Sequence, residues 1–145
     1  MIESSIFNVI TDNDEIRTIE NIYCTSDLED SNSIDSIIFK INNKYWIIGV
    51  DPEFDEIEFF ITPNLNADFI RRRNLDVLSY LKDLEIGTMS AIVNEKGYTN
   101  GLKIRILDHT SSRKSSDPYF CMLTIISASN LKFEITKTGI DRYLV

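Results

Sequence analysis

Three prolines and five glycines are all that punctuate the 145 residues. That is too few for a flexible or stiff linker, so the sequence predicts a single domain over residues 1–145. Cysteine occurs twice, at Cys24 and Cys121, with no CxxC or Cys/His spacing. Zinc and dithiol redox chemistry therefore lack their ligand pattern, and two free, buried thiols in apolar strand-like runs are expected. The single histidine, His109, must carry any histidine-dependent acid–base or nucleophilic step. Its neighbour Asp108 points to the opposite face of an extended segment and cannot orient the ring, so an exposed His109 without a catalytic role is expected. There is no P-loop, GxGxxG, GxSxG or HExxH. Phosphate-cradling, dinucleotide-binding, hydrolase-elbow and metalloprotease chemistry all lose their usual signatures. Unbroken apolar runs are as short as Trp46-Ile47-Ile48, and no base precedes Arg17. Neither a membrane span nor a signal peptide is expected, and the location implied is cytoplasmic.

What the sequence has in quantity is isoleucine, 23 residues of it, set among Phe, Tyr, Val and Thr. β-Branched and aromatic side chains suit a pleated, half-buried surface. Ile37-Ile38-Phe39-Lys40-Ile41 and Lys44-Tyr45-Trp46-Ile47-Ile48 flank Asn42-Asn43, and asparagine tolerates positive φ, so a two-residue hairpin is predicted there. The chain turns again at 51–55 and returns through residues 56–61 as a third strand. Residues 16–24 read as a further strand. Leu75, Val77, Leu78, Leu81 and Leu84 recur at helical spacing, with Asn74 as N-cap and Gly87 as terminator, and predict a helix over 75–85. Hairpins follow at 88–107, across residues 94–101, and at 119–136, across residues 128–130. The expected fold class is α+β: a curved, mostly antiparallel sheet of about eight strands with one main helix packed on it.

Charge is unevenly placed. The chain carries 23 acidic and 15 basic residues, a net charge of -8. Residues 1–60 hold 14 acids against 3 bases, so the surplus is N-terminal. Such a surface disfavours phosphate contacts, and direct nucleic-acid binding is not expected. Two acidic clusters stand out: Asp27, Glu29 and Asp30, and then Asp51, Glu53, Asp55, Glu56 and Glu58. Brought together they would make one negative field that accelerates encounter with a basic partner. Scattered acidic turns that merely aid solubility are the plainer alternative. A calcium loop starting at Asp51 fails, because its sixth place holds Glu56 rather than Gly and its twelfth Thr62 rather than Glu. No metal or cofactor is implied. Arg71, Arg72 and Arg73 form the one basic run, either a solvated edge or partners for the protein's own acids. Tyr45 and Trp46 point to opposite faces of one strand. One is then core, and the other, beside the acids, is a candidate anchor. Tyr98 is either a packed turn residue or a contact residue.

Two segments carry a resemblance. Gly49-Val50-Asp51-Pro52-Glu53-Phe54-Asp55-Glu56-Ile57-Glu58, followed by Asn94-Glu95-Lys96-Gly97-Tyr98-Thr99-Asn100-Gly101-Leu102, resembles a pattern in small uncharacterised bacterial proteins. There an acidic turn precedes an Asn-x-x-Gly-Tyr-x-Asp-Gly hairpin, and Asn100 replaces the acid here. In size, acidity and lack of a catalytic signature the chain is also similar to immunity proteins of contact-dependent growth inhibition and related polymorphic toxin systems. The similarity implies a non-catalytic immunity protein that neutralises a basic toxin domain, a nuclease foremost. Asp27, Glu29, Asp30, Asp51, Glu53, Asp55, Glu56 and Glu58 would then make the contact, anchored by Tyr45 or Trp46. A small carboxylate-dependent enzyme or a non-catalytic scaffold is the alternative.

Overall fold

The computed structural model describes residues 2–4 as backbone, and residues 17–26, 33–51, 53–66, 71–109, 119–128 and 130–137 in full. Its ten strands are β1 (Ile2–Ser4), β2 (Ile19–Thr25), β3 (Ser36–Ile41), β4 (Lys44–Asp51), β5 (Glu56–Thr62), β6 (Arg73–Asn74), β7 (Glu85–Val93), β8 (Thr99–Leu107), β9 (Tyr119–Ala128) and β10 (Asn130–Thr136). They form two five-stranded antiparallel sheets, in the orders β1-β7-β8-β9-β10 and β5-β4-β3-β2-β6. This corrects the α+β expectation. There are two sheets instead of one, and among the described residues there is no main helix.

The reason lies in the leucines. Leu75, Leu78, Leu81 and Leu84 are buried at a strict spacing of three, whereas Val77, which helped suggest an α-helix, is 62% exposed. Three residues per turn is the period of a 3-10 helix, and Asp76–Leu81 forms one. It is six residues long and has no side-chain cap, because Asn74 is taken into β6. Asp83 at φ 70° ends it, and Glu85 already opens β7. Gly87 lies inside that strand and terminates nothing.

The hairpins follow the turn chemistry. Asn42 and Asn43 both adopt positive φ, 52° and 64°, the geometry that matches the twist of the strands they join. The core lies between the sheets. Ile22, Cys24, Ile37, Phe39, Trp46 and Ile48 come from one, and Leu102, Ile104, Ile106, Cys121, Leu123 and Ile125 from the other, with the 3-10 leucines beside them. Two seams tie the sheets. At the first, the N–H of Ile19 donates to the Leu84 carbonyl at 2.8 Å and that of Ile86 to the Arg17 carbonyl at 3.0 Å. At the second, the Leu131 N–H donates to the Ile34 carbonyl at 2.7 Å.

The sheet built from the first half also buries apolar side chains on its far side. Tyr23, Ile38, Ile47 and Phe60 share one row across β2, β3, β4 and β5. Ile38 and Ile47 are 0% and 1% exposed, yet stand outside the central core. β5 and β6 occupy opposite edges of the sheet. Just before β6 the Arg72 guanidinium lies 4.9 Å from the centre of the Tyr23 ring and 6.0 Å from that of Tyr45, spanning β3. A flat, weakly hydrated cation suits such a position.

Candidate functional site

The acidic turn between β4 and β5 is built by its own first residue. Asp51 accepts the Glu53 N–H on its Oδ1 at 2.9 Å, and its carbonyl accepts the Asp55 N–H at 2.8 Å. Aspartate favours such turns because its short side chain satisfies the backbone two residues on. Asp55 takes φ 52°, a region that Asp tolerates better than most residues. The result is a tight loop whose tip, Glu53, Phe54 and Asp55, faces solvent.

A second loop meets it from the other sheet. Between β7 and β8 the Asn94 N–H donates to the Tyr98 carbonyl at 2.9 Å, and Asn94 Oδ1 accepts the N–H groups of Lys96 and Tyr98 at 2.9 and 3.1 Å. Gly97, at φ 87°, supplies the left-handed step that returns the chain. Gly101, expected within this loop, lies inside β8, where a Cβ would stand 3.1 Å from both the Ile125 carbonyl and the Ile92 side chain. Tyr98 is thus held by a closed loop of five residues.

The two loops touch. The rings of Phe54 and Tyr98 stack with centroids 6.2 Å apart and planes 23° from parallel, while Phe54 stays 51% and Tyr98 38% exposed. Ser127 on β9 fixes the junction from below, its hydroxyl donating to the Asp55 carbonyl at 2.7 Å, with the Asn100 carbonyl at 3.3 Å. Glu53 and Glu95 are exposed on the two loops and Glu58 on β5, and Glu56 is half-buried. Among the described residues no lysine or arginine forms an ion pair with Glu53, Glu56 or Glu58.

The expected site residues are divided by the structure. Asp51, Glu53, Asp55, Glu56 and Glu58 sit together on the turn and the first half of β5. Asp27, Glu29 and Asp30 lie outside the described residues. Trp46 is 5% exposed and packs edge-on against Phe59 at 5.9 Å, which makes it a core residue. Tyr45 is on the far face of its sheet beneath Arg72, at the opposite end of β4 from Asp51, about 20 Å along the strand at 3.3 Å per residue. The ring beside the acids is instead Phe54, with Tyr98 against it. Both stand in the two quoted segments, but nothing in either segment tells that the loops meet.

Lys96 is exposed on the Asn94–Tyr98 loop, whereas the arginine run and the bases of the second sheet lie elsewhere. Arg73 is on the β6 edge, its Nη2 donating to Ser26 Oγ at 3.1 Å, four strands from β5. Lys103, Arg105 and Lys132 share the outer face of the second sheet by register, with Arg105 5.4 Å from the Tyr119 ring centre. His109 meets a partner that sequence adjacency did not suggest: its Nε2 is 2.9 Å from Glu85 Oε2, across the β7–β8 ladder. Cys24 and Cys121 are free and buried. Burial raises both thiols, Cys121 to about 11, so neither is a ready nucleophile. Among the described residues no cluster of His, Cys, Asp and Glu could hold a metal ion, and no helix is long and apolar enough to cross a membrane.

Residues 1–139 match the family described as "Family of unknown function (DUF6334)". No curated protein and no solved structure matches the chain.

Proposed function

For this chain, which belongs to the DUF6334 family, we propose the role of a cytoplasmic, non-catalytic immunity-type protein. It binds and neutralises a basic toxin domain, a nuclease foremost, through the acidic turn at residues 51–58. The supporting observation is the meeting of that turn with the exposed Phe54–Tyr98 stack. Carboxylates steer a cationic partner in from a distance, but alone they leave a wet contact that salt weakens. Aromatic rings at the centre of the same patch supply what a stable interface needs, a part that becomes fully desolvated. A nuclease cleft is positive because it must attract phosphate, so it matches this patch in sign.

The test is association with the product of the gene immediately upstream of this chain's, the place where an immunity gene's toxin is commonly encoded. Stopped-flow rates are compared between the wild type and the triple variant Glu53→Lys, Glu56→Lys, Glu58→Lys. Glu53 and Glu58 are exposed, Glu56 is half-buried, and none of the three holds an ion pair among the described residues; a matching circular-dichroism spectrum checks that the variant is folded. The wild type is expected to bind and to protect cells from the toxin. The variant should associate at least ~10-fold more slowly at low salt, with a flattened salt dependence. An unchanged rate and salt slope would overturn the proposal.

A further inference from the structure

Several of the chain's rings lie under its own cations. Arg72 lies on Tyr23 and Tyr45, and Arg105 on Tyr119. Lys137 Nζ is 5.3 Å from the Tyr80 ring centre and 4.9 Å from that of Phe120. Phe54 and Tyr98 depart from this pattern. They are well exposed and stacked, and no lysine or arginine of the described residues lies over either ring. Lys96 belongs to the same loop as Tyr98 and is exposed, but makes no ring contact. The charges nearest in the chain to Phe54 are carboxylates, Glu53 before it and Asp55 after it.

We infer that the Phe54–Tyr98 pair is a seat for an arginine side chain of the basic partner, whose guanidinium lies flat on the exposed ring surface beside the carboxylates of the acidic turn. This rests on the proposed role and deepens it by naming the group that anchors the contact. The ring faces carry the negative end of the aromatic quadrupole, and the surrounding carboxylates add to it. A guanidinium sheds water more readily than an ammonium, stacks with its plane against a ring, and keeps its edge N–H groups free for carboxylates. A lysine can satisfy the field but not the flat contact. Two constraints hold the pair in place before any partner arrives: Ser127 under Asp55, and the Asn94 side chain inside the opposing loop. Little ordering is then left for the moment of binding.

The experiment uses the full chain with three peptide probes, acetyl-Gly-Arg-Gly-Arg-Gly-amide and its lysine and citrulline counterparts. Affinity is read from the aromatic NMR signals of Tyr98 and Phe54. The arginine peptide is expected to shift both rings and to bind roughly 5- to 30-fold more tightly than the lysine peptide, the range of a partly desolvated cation–ring contact. The citrulline peptide, flat but uncharged, should not bind. Phe54→Ala and Tyr98→Ala should bring the arginine peptide down to the lysine level, and Tyr98→Phe should retain the difference. Equal affinity of the arginine and lysine peptides, unmoved by Phe54→Ala, overturns the arginine seat. If the Glu53→Lys, Glu56→Lys, Glu58→Lys protein then loses both peptides, the acidic surface stands while the seat falls. Failure of every cationic peptide to bind the wild type removes the seat and the acidic docking surface together.

Discussion

Ser127 shows how much of the site hangs on single side chains. Its buried hydroxyl is the bond between the acidic turn of one sheet and the strands of the other. Ser127→Ala leaves the Asp55 carbonyl without that donor and is expected to cost about 1–3 kcal/mol in a denaturant titration. It should also broaden the Tyr98 ring signals, because the two loops are no longer held in contact. Cys121 gives a second expectation. Burial raises its thiol from 9.0 to about 11, with Lys137 pulling the other way. The unfolded chain ionises that thiol from about pH 9 upward, whereas the folded chain keeps it neutral, so its contribution is whole below pH 9 and lost as the pH climbs toward 11. Urea midpoints measured from pH 8 to 11 should fall over that window, and less steeply in Cys121→Ala. The anchor residue was the least legible feature of the sequence. Alternation along β4 places Tyr45 and Trp46 on opposite faces correctly, but one face is the core and the other is covered by Arg72, so neither ring is left as the anchor beside the acids. Phe54 and Tyr98 are brought together only by a contact between loops 44 residues apart in the chain.

Among the elements, those set by local chemistry could be read directly. The Asn42-Asn43 hairpin is one, because positive φ at two adjacent positions is a demand that few residue pairs meet. The 3-10 turn reads as an α-helix because Val77 adds a four-residue spacing to leucines three apart, and only burial shows that Leu75, Leu78, Leu81 and Leu84 are inside while Val77 is not. Leu78, fully buried, is the centre of that row, and Leu78→Ala should destabilise the fold by about 2–5 kcal/mol. Val77→Ala, one residue away and exposed, should cost under about 0.5 kcal/mol by the same chemical denaturation. The second layer on the β2–β5 sheet was invisible for a different reason. Ile38 and Ile47 break the alternation that marks a wet face, and nothing local says that Arg72 arrives over Tyr23 and Tyr45 on the same face. Arg72→Ala should therefore lower the melting temperature, and Arg72→Lys should not restore it, since an ammonium lacks the flat face that bridges two rings.

At the scale of the molecule, the acidic turn and the arginine run belong to one sheet but sit on its opposite edges, β5 and β6. The division of labour between sheets is nearly that of the two halves of the chain, residues up to 74 building one and residues from 85 onward the other. The exception is β1, whose Ile2, Glu3 and Ser4 pair with Val93, Ile92 and Ala91 on β7. During synthesis, then, the strands β2 to β6 find all their partners among one another, but β1 does not. It must wait until Glu85–Val93 has been synthesised, so β1 is engaged only after the sheet it does not belong to already has all its described strands.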